Sequence, residues 1–160
     1  MNERVILEFL NLFCAGLLAG AEYVVCVGVR GSLTVLDDRP QLQLRQALIR
    51  RLRGVVSAVY VPTALSGVAV TVLAGIDRGL AFRCMALLAV LVWTLTTFLG
   101  TVPINAATLT WRPEAPPEDW RVTVRKWERL DTVRFWAAVT AFALFLTALA
   151  LRIPEHNGTG

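Results

Sequence analysis

Histidine is nearly missing from this chain, and charge is scarce. The one histidine, His156, lies in a polar C-terminal stretch, which excludes a histidine-rich metal or haem site. Charged residues make up 18% of the sequence and hydrophobic ones 56%, against about 25% and about 45–50% in an ordinary globular chain. Those proportions exclude a soluble domain, and the chain reads as a membrane protein. Cysteine is sparse as well. Cys14, Cys26 and Cys84 fall in apolar stretches without a CxxC pair, so they read as small buried hydrophobes, not as a disulfide framework or metal knuckle. The net charge of +4 does not imply nucleic acid, which needs a basic soluble surface with stacking aromatics. Met1-Asn2-Glu3-Arg4 is a poor signal-peptide n-region, and the apolar stretch after it is too long for an h-region. A retained first span is expected.

What the chain has in abundance is long apolar runs. A helix needs roughly 20 apolar residues to cross a bilayer, and four runs qualify, at about 5–29, 54–76, 80–102 and 132–151. Pro62 inside the second is tolerable because neighbouring helices can re-satisfy the freed carbonyl. Asp77-Arg78-Gly79 gives a short turn, and Pro103 is expected to end the third span. The expected fold is all-α: a four-transmembrane-helix bundle forming one membrane domain, 1–152, with a flexible tail at 153–160.

Charge sets the expected orientation. The connection 30–53 carries Arg30, Arg39, Arg45, Arg50, Arg51 and Arg53. The connection 103–131 carries Arg112, Arg121, Arg125, Lys126 and Arg129, with Arg134 just beyond. Together these are 12 of the 16 basic residues. The positive-inside rule puts both connections in the cytoplasm and both termini outside, in a multi-pass cell-membrane protein. Both connections also read as partly helical. Asp37-Asp38-Arg39-Pro40 and Pro116-Pro117-Glu118-Asp119 are helix-start signals, with acids near the cap and Pro in the first turn. Leu44, Leu48 and Leu52 then recur at helical spacing. The second and fourth helices should therefore carry cytoplasmic extensions. An unbroken run from Pro117 to Leu151 would be about 35 residues and roughly 52 Å long.

The polar residues that need explaining lie toward that end. Glu22 is a carboxylate deep in the first apolar run, where a charge costs on the order of 2.5–3.5 kcal/mol and normally pairs or lines a cavity. Thr101 and Asn105 flank Pro103. Trp120, Trp127, Asp131 and Arg134 follow at intervals of seven, four and three, one stripe of a helix. A carboxylate, an amide, a guanidinium and aromatic walls can thus converge between helices, a recurrent place for ligand sites. Each residue also has a plainer reading. Asp131 and Arg134 can form a surface ion pair, the tryptophans can be interfacial anchors, and Asn105 can cap a broken helix. Tyr23 and Tyr60 can pack or donate hydrogen bonds to the site.

Gly100-Thr101-Val102-Pro103-Ile104-Asn105, then Trp120, then Trp127-Glu128-Arg129-Leu130-Asp131-Thr132-Val133-Arg134, resemble the signature of the anthrone oxygenase-like family of small four-helix membrane proteins. Leu18-Ala19-Gly20-Ala21-Glu22 and Arg45-Gln46-Ala47-Leu48-Ile49-Arg50-Arg51-Leu52-Arg53 also look like bacterial members, so the likeness covers nearly the whole chain. Many relatives carry histidine where this chain has Asp131, so a histidine mechanism does not transfer. The resemblance implies oxidation of a polyketide anthrone to an anthraquinone by O2. That chemistry needs removal of an activated benzylic proton, for which a carboxylate held away from water is the stronger base. Glu22 or Asp131 can take the proton, and Asn105 and Arg134 can stabilise the enolate oxygen. Trp127 can stack on a flat aromatic, with Trp120, Thr101 and Tyr60 as further substrate contacts. No cofactor or metal is required, although a two-carboxylate metal site at Glu22 and Asp131 stays open. The alternative is a non-catalytic membrane subunit or a binder of hydrophobic small molecules. A transporter needs more intramembrane polar groups than one protomer offers, which a homo-oligomer would supply.

Overall fold

The computed structural model describes residues 3–152; His156 and the expected tail at 153–160 lie outside the described residues. Four helices, Glu3–Thr34, Asp38–Ala74, Leu80–Thr110 and Trp120–Ala150, are each long and apolar enough to cross a membrane. Contacts join the first helix to the second, the second to the third, the third to the fourth and the fourth back to the first. The bundle is therefore up-and-down and antiparallel, held by short connections. Its core runs through Ala15, Ala86, Val90, Ala141 and Phe145, then through Leu18, Ala19, Trp93, Ala137 and Ala138. Small residues on the first and fourth helices let their backbones approach closely, as packing between membrane helices requires. Phe9, Phe13, Leu65, Val72, Leu88, Leu99 and Trp136 stay exposed on the outside, the surface expected to meet lipid.

All four helices outrun a hydrocarbon layer. At 31–37 residues each and 1.5 Å per residue they measure about 46–56 Å, against roughly 30 Å of lipid core. The second helix starts at Asp38, with the Gln41 amide bonded to the Asp37 carbonyl at 2.9 Å and Pro40 in the first turn. The fourth starts at Trp120, whose amide bonds to Pro117. Those two extensions match their start signals. The first and third helices extend equally, to Thr34 and Thr110, which the span estimates of 5–29 and 80–102 do not anticipate.

The continuation through Pro103 has a local cause. Residues 96–101 are π-helical, and Val102 donates to the Thr97 carbonyl, five residues back. Pro103 then occupies the first turn of a fresh α segment, Val102–Thr110, where its missing N–H costs nothing. A second π segment, Val24–Val29, sits just after Glu22 in the first helix. Single π turns of this kind recur at functional sites.

The end of the bundle carrying Arg4 and Arg152 is clamped by charge. Gly75 closes the second helix at φ +66°, a conformation L side chains rarely adopt. The Asp77 carboxylate after it accepts from Arg83 at 2.7 Å and from the Gly79 amide at 2.8 Å. Arg83 also donates to the Gly75 carbonyl at 3.1 Å, and Arg4 to the Ala74 carbonyl at 2.7 Å. Arg152 pairs with Glu8 and lies 3.4 Å from Asp77. All four helices or their connecting turn are thus tied together at one end. The Arg83 hydrogen bond and charge, with the Gly79 amide and Arg4, hold the Asp77 carboxyl below its ordinary range, against a smaller opposing effect of burial. A depressed carboxyl stabilises the fold above its unfolded-state pKa and loses that contribution as pH falls through the folded value. The melting temperature should therefore fall below about pH 4, and Asp77→Asn should remove part of that fall while lowering the neutral-pH Tm by about 2–4 °C. Thermal melts across that range, with and without the substitution, check the sign.

Gly79 is required by space. A Cβ there would lie 2.8 Å from the Ala148 carbonyl oxygen and 2.8 Å from Arg83 Nη1. Backbone of the fourth helix cannot retreat cheaply, so Gly79→Ala should cost about 1–3 kcal/mol. A Tm equal to that of the parent protein would show that the turn shifts freely.

Candidate functional site

Near the opposite, arginine-rich end, the first and fourth helices bring three of the expected residues together, with Trp93 joining them from the third. Glu22 reaches inward from the last regular turn of the first helix and is 2% exposed. Its Oε1 accepts from Trp93 Nε1 at 3.0 Å and from Arg134 Nη2. The Arg134 guanidinium also lies 4.8 Å from the centroid of the Trp93 ring, a cation–π distance. Asp131 stands one turn before Arg134 and is 1% exposed, its Oδ1 3.9 Å from Arg134 Nη1. Its Oδ2 lies 4.0 Å from Arg30 Nε and has no hydrogen-bond partner among the described residues. At those separations Asp131 feels both cations without a well-formed hydrogen bond to either. Arg134 Nε and Arg30 Nε are buried and unpartnered as well.

Of the remaining expected residues, Tyr60 touches this centre through Trp93, while Asn105 and Trp127 pair with each other. Asn105 Oδ1 accepts from Trp127 Nε1 at 2.9 Å. The amide therefore spends its oxygen on tryptophan and keeps its NH2 for other partners. Trp127 in turn lies under Arg45 at 5.0 Å, and Arg45 is 3.6 Å from Glu128. Tyr60 stacks on Trp93 with centroids 4.6 Å apart. Because the Thr94 hydroxyl donates to Val90, the 2.8 Å contact between Tyr60 and Thr94 has tyrosine as donor. Two residues serve local structure instead. Thr101 donates to the Thr97 carbonyl of its own helix at 3.2 Å, and the Trp120 ring is met by Arg121 at 5.5 Å. Trp120, though buried, heads the stripe and stands eleven residues before Asp131.

Arg30, Arg45 and Arg134 face Glu22, Glu128 and Asp131, so charge balances within the cluster. Glu22 and Asp131 belong to no group of three or more histidine, cysteine or carboxylate ligands among the described residues, and Arg134 already bridges them. Trp93, Arg30 and Arg45 were absent from the sequence-based set. Trp93 had a readable signal: an indole in mid-span has an N–H that demands a partner. Arg30 and Arg45 had none, since nothing in their spacing separates a buried guanidinium from its exposed neighbours. No family model matches the chain, and no curated protein or solved structure matches it either.

Proposed function

We propose that the protein is an integral membrane enzyme of the anthrone oxygenase type, with Asp131 as the base. The observation that carries this reading is the Asp131 Oδ2 atom, buried and free of hydrogen bonds in a side chain flanked by Arg30 and Arg134. In the reaction, Oδ2 takes a proton from the methylene between the aryl rings of a planar, membrane-soluble substrate. The negative charge moves to the ring-ketone oxygen, where the unpartnered Arg134 Nε and the Asn105 amide are the available donors. The carbanion combines with O2, and the peroxide formed takes the proton back from Asp131. Loss of water leaves the second carbonyl, so CH2 and O2 become C=O and H2O, with O2 as the sole oxidant. Glu22 suits the role of base less well, since its Oε1 already accepts two donors. It supports Arg134 instead. With the arginine-rich end in the cytoplasm, substrate would reach Asp131 from the inner leaflet once Arg30 lets go of Thr132.

The two hydrogen bonds that Glu22 Oε1 accepts from other helices favour a second reading, in which the centre only fastens helices and the protein is a non-catalytic subunit or small-molecule binder. Oxygen uptake by the purified protein on adding an anthrone separates the two. Substrate-dependent uptake that Asp131→Asn abolishes supports the enzyme; uptake equal to the protein-free rate removes it.

A further inference from the structure

A cleft of about 370 Å³ opens between the end of the first helix and the early turns of the fourth, lined by Arg30, Gly31, Thr34, Arg125, Glu128, Arg129 and Thr132. Three guanidiniums thus surround one concavity. Glu128 is the one carboxylate among them, and its Oε1 lies 3.6 Å from Arg45 Nη2, which leaves the three guanidiniums in excess. Arg125 and Arg129 form no ion pair among the described residues. Arg30 is held in place from below, its Nη1 donating to Thr132 at 3.0 Å and to Cys26, while its Nε is buried without a partner. At Gly31 a side chain would meet nothing within 4 Å, so the wall of the cleft is open there.

The depth of the cleft says what fills it. Arg30 is the first charge after the apolar run 5–29, and Thr132 opens the apolar run 132–151. Both helices therefore pass from hydrocarbon to polar surface at this level, where headgroups lie. A planar guanidinium presents forked donors that match phosphate oxygens. We propose that this cleft binds the phosphate headgroup of an anionic phospholipid through Arg30, Arg125 and Arg129. The cleft shares Arg30 with the Asp131 centre, but its test does not depend on turnover. Bound lipid would also cover the arginine flank through which the first and fourth helices meet.

The test is a lipid-binding measurement on the full chain in mild detergent. Native mass spectrometry with added phosphatidylglycerol or phosphatidylcholine counts retained lipids, and a parallel arm adds inorganic phosphate alone. Phosphatidylglycerol should be retained about tenfold more than phosphatidylcholine. That preference should vanish in the exposed double variant Arg125→Gln/Arg129→Gln and survive in part in Arg125→Lys/Arg129→Lys, which keeps the charge. Circular dichroism confirms that both variants stay folded. Equal retention of the two lipids, or an undiminished preference in the glutamine variant, overturns the proposal. So does inorganic phosphate that displaces phosphatidylglycerol at equal concentration, since the site would then recognise a free anion.

Discussion

Arg134→Met should lower the stability of the protein by about 3–5 kcal/mol, the largest loss expected from any single substitution at the centre. Removing the guanidinium strands Glu22, which keeps one hydrogen bond from Trp93 and loses its charge partner in a place almost closed to solvent. Asp131 loses its neighbouring cation at the same time. For a domain of this size the loss corresponds to a Tm drop on the order of 10 °C in detergent. Methionine preserves most of the volume, so the drop reports charge rather than a cavity. The pair Glu22→Leu/Arg134→Met should recover much of the loss, because a buried ion pair replaced whole by apolar groups is often neutral. Trp93→Phe keeps an aromatic ring against Tyr60 but deletes the N–H donor and part of the buried ring volume, so a loss of about 2–4 kcal/mol is expected there. An Arg134→Met protein that melts like the parent would show that this contact does not fasten the first helix to the fourth.

The bundle was legible because hydropathy and length alone demand it: a run of more than twenty apolar residues has few alternatives to a spanning helix. The start signals around Asp37 and Pro117 were legible too, since they act through local backbone geometry. Helix ends without such signals were not. Arg30–Thr34 continues the first helix because nothing in it breaks helical geometry, although its hydropathy has already changed. Pro103 misled for a different reason. A proline ends a helix only where its absent N–H would have been used, and the π segment before it removes that need.

The centre was legible in its stripe and its isolated charge. Burial of Glu22 required a partner, and helical spacing put Asp131 and Arg134 on one face. The partners on other helices depended on packing that sequence spacing does not encode. Trp93 comes from the third helix and Arg45 from the extension of the second. Glu8 and Asn11 share the inward face of the first helix with Glu22, yet they serve other contacts. Glu8 belongs to the clamp at the far end with Arg152, and Asn11 donates to Ser66 at 3.1 Å and to the Thr63 carbonyl at 3.3 Å. A polar residue in a span thus declares that it needs a partner, and leaves unstated which one.

Asp131→Asn is expected to cut anthrone-dependent O2 uptake by about 10²–10⁴-fold, the usual contribution of a positioned general base. The substitution is nearly isosteric, so the side chain should hold its place between Arg30 and Arg134 while losing the ability to take a proton. Glu22→Gln should behave differently. It weakens the grip on Arg134, and so should lower Tm and reduce uptake only as far as Arg134 is displaced. The contrast is what carries weight, because a purely structural centre would make both variants lose stability and activity in step. Oxygen-electrode rates and melting curves measured on the same preparations provide it. Parent-like uptake by a well-folded Asp131→Asn would remove Asp131 as the base, and loss of uptake in Glu22→Gln at unchanged Tm would move that role to Glu22.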